Sequence, residues 1–163
     1  MTDNPLRIVF VCTGNICRSP IAEKVFLHEL ERAGLADAVH VSSAGTGDWH
    51  VGSPADERAV AALLAGGYKS EHIARQVDAD QLGADLIVAL DRSHERALRS
   101  LVRDPDRVRL LRSFDPDAPP RAEVPDPYYG DDEGFVDVVA ICRSAARGLV
   151  ATLAAQLESG TSR

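Results

Sequence analysis

Short apolar runs of strand length alternate along this chain with longer stretches whose apolar residues recur three and four apart, and that alternation restricts the fold more than any other feature. The runs are Arg7 to Cys12, Val39 to Ser43, Asp85 to Leu90 and Val108 to Leu111. Each is nearly apolar throughout, as a strand covered by helices on both faces must be, so the pattern predicts βαβ units and a small parallel sheet. A first helix is predicted at Pro20 to Ala33, where Ala22, Val25, Phe26, Leu30 and Ala33 share one face, Pro20 sits in the first turn and Gly34 supplies the stop. A second runs from about Pro54 to Ala65, with Ser53 as N-cap, Asp56 as the capping-box acid and Gly66-Gly67 as terminator. A third spans roughly Ser93 to Val102. A last one, roughly Gly134 to Leu157, carries Val138, Ile141, Cys142, Ala145, Leu149, Leu153 and Leu157 as its buried stripe. Right-handed crossovers and the doubly wound rule order these elements as an α/β fold with an open four-stranded parallel sheet, order 2-1-3-4, and helices on both faces.

The 163 residues, 45% of them hydrophobic, fit one domain over residues 1–163. Eighteen Lys and Arg against 25 Asp and Glu give a net charge of -7. That balance lacks the electrostatic footprint of a nucleic-acid binder, so any bound anion must be held by a local site. The longest uncharged apolar runs, Ile8 to Cys12 and Leu86 to Leu90, are about a quarter of the ~20 residues that span a bilayer, and no membrane partner is expected. Met1-Thr2-Asp3-Asn4-Pro5 carries no basic or apolar leader, so the chain reads as cytoplasmic, with export independent of a signal peptide left open. Three cysteines, Cys12, Cys17 and Cys142, suit a reducing compartment better than a disulfide framework.

Between the first strand and the first helix lies Cys12-Thr13-Gly14-Asn15-Ile16-Cys17-Arg18-Ser19-Pro20. Ligands of open parallel sheets sit beyond the carboxyl ends of the strands, and a strand-loop-helix turn aims backbone N–H groups at an anion. The amides from Thr13 to Ser19 would cradle a phosphoryl group, with Gly14 supplying backbone freedom. Cys12 would stand at the mouth of the cradle, where the helix dipole, the amides and Arg18 favour thiolate over thiol. Arg18 can fold back over the loop and grip two phosphoryl oxygens, a bidentate contact that Lys cannot reproduce. A zinc site on Cys12 and Cys17 lacks two further ligands, and the loop has neither the second Gly nor the Lys of a nucleotide-binding P-loop. The Pro-rich stretch Arg112 to Asp132 is irregular for long enough to be functional and contains Asp126-Pro127-Tyr128-Tyr129. A thiolate that attacks phosphorus needs a general acid for the leaving group. Asp126, beside Pro127 and the tyrosine pair in an aromatic and partly dry setting, is a candidate; the residues alone also allow it to be a turn former, like Asp115 before Pro116.

The loop from Cys12 to Ser19 together with Asp126-Pro127-Tyr128-Tyr129 resembles the low-molecular-weight protein tyrosine phosphatases, in particular their bacterial members. Ser43-Ala44-Gly45-Thr46, Trp49-His50-Val51-Gly52, His72-Ile73-Ala74-Arg75 and the strand ending at Asp91 are similar to family segments in family order, so the likeness spans essentially the whole chain. It implies the phosphotyrosine phosphatase I-like fold of the Rossmann and flavodoxin type and hydrolysis of phosphotyrosine through a cysteinyl-phosphate. Cys12 would be the nucleophile, Arg18 the clamp and Asp126 the general acid. It further implies that Asn15, Ser19, Ser43 and His72 hold the loop, and that Trp49, Tyr128 and Tyr129 wall a crevice for a phenyl ring. Cys17 would either trap an oxidised Cys12 as a disulfide or simply pack. Phosphotyrosine-containing proteins are the implied partners, with a tyrosine kinase acting on Tyr128 or Tyr129 as a further candidate. No metal or organic cofactor is implied, because Arg18 and the amides supply the charge stabilisation. The family often has Asn three residues beyond the position of Asp91, whereas His94 stands here, which leaves the cap of that helix open.

Three other activities compete. Thioredoxin-coupled arsenate reductases use a similar loop but carry a downstream redox cysteine pair, and no Cys lies between Cys17 and Cys142. Protein-arginine phosphatases tend to carry Thr where this chain has Ile16, so Ile16 and the tyrosine pair favour phosphotyrosine. A non-catalytic phosphopeptide module would need the cradle and Arg18 but neither Cys12 nor Asp126.

Overall fold

The computed structural model describes residues 4–161. The leader reading of Met1-Thr2-Asp3 therefore falls outside the described residues. Strands β1 (Leu6–Cys12), β2 (Val39–Gly45), β3 (Leu86–Ala89) and β4 (Val108–Leu110) form one sheet in the order β2-β1-β3-β4, and every pairing is parallel. Both the order and the direction are those expected from the alternating pattern. Cys12 pairs with Gly45 at the carboxyl end of β1, and the pairing of β1 with β3 ends one residue earlier, at Val11 and Ala89.

The period-two alternation of a strand sends successive side chains to opposite faces. Ile8, Phe10 and Cys12 face one layer, built by α1 (Arg18–Arg32), α2 (Glu57–Ala65) and α5 (Asp132–Thr161). Val9 and Val11 face the other, where they meet Ile87, Ala89, Val108 and Leu110 of the sheet, Leu98 of α4 (Arg92–Arg99) and, at its margin, Leu82 of α3 (Ala79–Leu82). Phe10 and Phe26 meet edge to face at 5.4 Å, which locks α1 to β1. The span 132–158 of α5 is long and apolar enough to cross a membrane by composition, and here Phe135, Val138, Cys142, Ala145, Leu149 and Leu153 are buried in the same core as α1. Gly148 lets α5 approach the 3₁₀ turn Leu111–Phe114: a Cβ there would fall 1.8 Å from the Phe114 carbonyl oxygen.

Helix boundaries depart from expectation where backbone groups have long-range partners. The second helix begins at Glu57, and its N-cap is Asp56, whose side chain accepts from the Arg58 N–H; Ser53 is not the cap. The reason lies in the preceding segment, which stays extended to brace the anion loop. The Ser53 carbonyl accepts from Ala74 N–H and the Asp56 N–H donates to the Ile16 carbonyl. The first helix begins at Arg18, so Pro20 occupies its third position, still within the turn where a missing N–H costs nothing. The third predicted helix starts at Arg92 and ends at Arg99, three residues short of Val102.

Candidate active site

The site is built by segments that follow the strands: the loop after β1 with the start of α1, the loop after β2, and the irregular segment beyond β4. Cys12, the last residue of β1, is 3% exposed, and its Sγ lies 2.9 Å from Ser19 Oγ in the first turn of α1. The Ser19 hydroxyl accepts from Asn15 Nδ2 at 2.8 Å, and its alternative acceptor, the Ala44 carbonyl, is more distant at 3.4 Å, so its single proton is aimed at the sulfur. A sulfur placed this way can carry negative charge, stabilised by a hydroxyl donor and by the N-terminus of α1.

Asn15, at φ 59°, is the residue that turns the loop through the left-handed region; Gly14 is not in that region. The backbone freedom expected of Gly14 is thus used by its neighbour. A carboxamide tolerates this conformation because its polar atoms can be bonded locally. Asn15 Nδ2 donates to Ser19 Oγ and Ser43 Oγ, its Oδ1 accepts from Arg75 N–H, and its carbonyl accepts from His72 Nε2 at 2.7 Å. Gly14 is small for a different reason, since a Cβ would fall 2.8 Å from His50 Cδ2. Gly45 is small because a Cβ would fall 2.6 Å from the Thr13 carbonyl oxygen. Ser43 passes the network on to Glu23, and the His72 ring has the same carboxylate 3.9 Å away.

Arg18 is 4% exposed. Its Nη1 donates to Asp91 Oδ2 at 2.8 Å and to the Val124 carbonyl at 3.0 Å, while Nη2 lies 3.7 Å from Asp126 Oδ2. With both protons of Nη1 engaged, the edge formed by Nε and Nη2 remains for two oxygens of an anion. Burial raises the Asp91 carboxyl pKa, and hydrogen bonds from Ser93, Arg18 and His94 outweigh it, bringing it down to about 2. Asp91 is therefore ionised near neutrality. It also caps α4, where His94 completes a capping box. The open point at that helix end is settled in favour of His94, which performs the cap and also bonds Thr13 Oγ1 through Nε2 at 2.8 Å.

Asp126 reaches the cleft from the long irregular segment, but the dry setting expected for it is absent. Its side chain is 45% exposed, its Oδ1 accepts the Tyr128 N–H at 3.1 Å, and its Oδ2 faces Arg18. It is a turn former and a cleft residue at once. Tyr128 and Tyr129 meet edge to face at 4.9 Å and are 39% and 91% exposed, and Trp49 is 71% exposed with its ring laid over Gly47. Cys12, Arg18, Asp126, Trp49, Tyr128 and Tyr129 line one cleft of about 410 Å³, with Thr13, Gly14, Ile16, Cys17 and His50 completing it. Asn15, Ser19, Ser43 and His72 lie behind the loop and do not line the cleft. Cys17 is 6% exposed, and burial, reinforced by Asp56, pushes its thiol up to about 12, so it stays protonated beside Cys12. Cys142 is in the core of α5, held protonated by burial.

Four site residues carried no role in the sequence: Asp91, which stood only as the end of a family-like strand segment, and Glu23, His50 and Arg58. Arg58 bonds the carbonyls of Tyr128 and Gly130 at 3.0 and 3.2 Å and lies over the Phe135 ring at 4.5 Å, so it ties the start of α2 to the segment that follows Asp126. The one available signal was the pair Asp56 and Arg58 at a helix start, and nothing in it pointed 70 residues down the chain.

Residues 7–159 match the sequence model of the family described as low molecular weight phosphotyrosine protein phosphatase. The chain is 58% identical over 147 residues to low molecular weight protein-tyrosine phosphatase A of Mycobacterium tuberculosis, covering 90% of each chain. It is 50% identical over 157 residues to the low molecular weight protein-tyrosine-phosphatase of Streptomyces coelicolor, covering 93% of this chain and 96% of that one. A crystal structure of a protein tyrosine phosphatase from Entamoeba histolytica, with Hepes in its active site, superposes with a TM-score of 0.86 at 32% identity over 96% of this chain and 99% of that one. With the loop, the sheet order and nearly the full length in agreement, the chain belongs to the low molecular weight phosphotyrosine protein phosphatases.

Proposed function

We propose that this protein hydrolyses phosphotyrosine in proteins through a cysteinyl-phosphate, and the observation that carries the reading is the convergence of Cys12, Arg18 and Asp126 on one cleft with aromatic walls. In the first step Cys12 Sγ attacks phosphorus, the bond from phosphorus to the phenolic oxygen breaks, and Asp126 gives its proton to the departing oxygen. In the second, Asp126, now a carboxylate, takes a proton from water, which attacks phosphorus, releases inorganic phosphate and returns Cys12 as thiolate. Throughout, the free edge of Arg18 and the loop amides hold the equatorial oxygens, where charge gathers in the transition state. The fixed bond of Arg18 to Asp91 means that this edge is in place before substrate arrives.

Ile16 in the cleft supports a phenyl leaving group over a phosphoguanidine, which needs a polar contact at its departing nitrogen. The test pairs p-nitrophenyl phosphate with one peptide carrying phosphotyrosine and one carrying phosphoarginine. Turnover of the first two with little of the third is expected, and Cys12→Ser should abolish turnover while still retaining the phosphotyrosyl peptide. Turnover surviving in Cys12→Ser would exclude the covalent route, and faster hydrolysis of phosphoarginine would transfer the chain to that substrate class.

A further inference from the structure

The bond between Thr13 Oγ1 and His94 Nε2 joins the residue after the nucleophile to the first turn of α4, and its surroundings fix which atom donates. His94 is 2% exposed. Its Nδ1 accepts the Asp91 N–H at 3.2 Å. The same nitrogen is 3.2 Å from Asp91 Oδ1, but that oxygen already accepts from the Ser93 hydroxyl and from the His94 N–H. A proton on Nδ1 would meet the Asp91 N–H head on and deprive it of its acceptor. Burial, assisted by Arg18 and opposed by Asp91, Asp126 and Glu123, brings the ring down to about 4, so it is neutral near pH 7. The single ring proton therefore resides on Nε2, which donates to Thr13.

A hydroxyl that accepts from Nε2–H must send its own proton elsewhere. Among the described residues Thr13 Oγ1 has no second protein partner, and Thr13 lines the cleft beside Cys12, Arg18 and Asp126. The rest of Thr13 is held in place, because its carbonyl accepts the Gly47 N–H at 3.0 Å. We propose that His94 is a positioning residue which, by donating to Thr13 Oγ1, turns the Thr13 hydroxyl proton into the cleft, where it donates a hydrogen bond to an oxygen of the bound phosphate ester. The inference rests on the reading of the cleft as a phosphate-ester site and adds a side-chain donor to its backbone cradle. A hydrogen bond to a charged oxygen of this kind is worth roughly 10-fold or more in binding or rate.

The test compares Thr13→Val, Thr13→Ser, His94→Asn and the Thr13→Val/His94→Asn pair on p-nitrophenyl phosphate, with ring nitrogen shifts of His94 read by NMR at pH 7. Asn places an acceptor where Nδ1 stood, so it keeps the α4 cap and removes only the Nε2 donor. Thr13→Val is expected to lower kcat/KM about 10-fold, Thr13→Ser to restore most of that loss, and His94→Asn to lower kcat/KM without a further loss when added to Thr13→Val. The ring should show Nε2–H and bare Nδ1. Thr13→Val at the parental rate, independent multiplication of the two losses, or a proton on Nδ1 would each overturn the proposal. Should His94→Asn fail to fold, the two Thr13 variants and the NMR of the parent decide the question without it. A parent protein that turns over no aryl phosphate would sink the underlying reading of the cleft, whereas an active parent with an unaffected Thr13→Val sinks this inference alone.

Discussion

Arg18 Nη1 and Asp91 Oδ2 lie 2.8 Å apart in a pair whose cation is 4% exposed, and the pair fastens the first residue of α1 to the N-cap of α4. Removing the anion would leave a buried guanidinium without its partner. Asp91→Asn, which keeps a capping side chain, is expected to cost kcat/KM about 10- to 100-fold through looser placement of the Arg18 edge. It should also change how stability responds to acid. In the folded protein, hydrogen bonds from Ser93, Arg18 and His94 hold the Asp91 carboxyl down at about 2, below its ordinary value of 3.8, so the stability it contributes is complete above about pH 4 and is lost as pH falls toward 2. Urea midpoints of the parent and Asp91→Asn, measured at pH 6, 4, 3 and 2, should converge at the acid end. A gap that stays constant with pH would mean that the Asp91 charge is not coupled to folding.

Cys17 is buried with its thiol pushed up to about 12, so it does not compete with Cys12 as a nucleophile. Its remaining chemical option is to condense with an oxidised Cys12, expelling water from the sulfenic acid and forming a disulfide. On that basis parent protein inactivated by prolonged excess peroxide should regain turnover on adding dithiothreitol, whereas in Cys17→Ala the unprotected sulfenic acid is oxidised on to sulfinic acid, which dithiothreitol does not reduce, and turnover should not return, although before oxidation it stays within a few-fold of the parent. Equal recovery in both would leave Cys17 as a packing residue.

Arg58 connects α2 to the carbonyls of Tyr128 and Gly130 and stacks on Phe135. It touches neither Cys12 nor Arg18, so its loss should act on the position of the aromatic wall and of Asp126. Arg58→Met, which keeps the stem over Phe135, is expected to raise KM for aryl phosphates several-fold and to lower the melting temperature only slightly. Inorganic phosphate should inhibit Arg58→Met and parent equally, because the cradle is untouched. A parallel loss of phosphate affinity would show that Arg58 acts on the loop instead.

The parts of the molecule that were legible in the sequence are those fixed by local pattern. Continuous apolar runs announced strands covered on both faces, and right-handed crossovers then left few ways to order them. Cys12 and Arg18 could be found because a strand end, a short loop and a helix start put them within six residues of one another. What stayed hidden depends on partners far along the chain. Asp56 displaces Ser53 as a cap because the segment before it bonds to Ile16 and Ala74. Asn15 takes the left-handed turn because Ser19, Ser43, His72 and Arg75 are there to bond it. His94 satisfies a cap and holds Thr13 with the same ring, a double role that spacing alone does not reveal.

Asp126 and Tyr128 sit two residues apart in one turn, joined by the Tyr128 N–H to Asp126 Oδ1 bond, yet they should fail in different ways. If Asp126 protonates the leaving oxygen, Asp126→Asn should slow substituted phenyl phosphates more steeply as the leaving-group pKa rises, since a good leaving group departs without help. Formation of the cysteinyl-phosphate then becomes the slow step for poor leaving groups. Tyr128→Ala removes a wall and leaves the proton donor, so its kcat/KM should fall by a similar factor across the series, with the loss carried mainly by KM. The measurement is kcat/KM for both variants over phenyl phosphates of graded leaving-group pKa. A dependence in Asp126→Asn no steeper than in the parent would place the acid elsewhere, and Asp91 is excluded from that role by its engagement with Arg18, which keeps it ionised. Asp115, at the start of the same Pro-rich segment, would then be the residue to replace next.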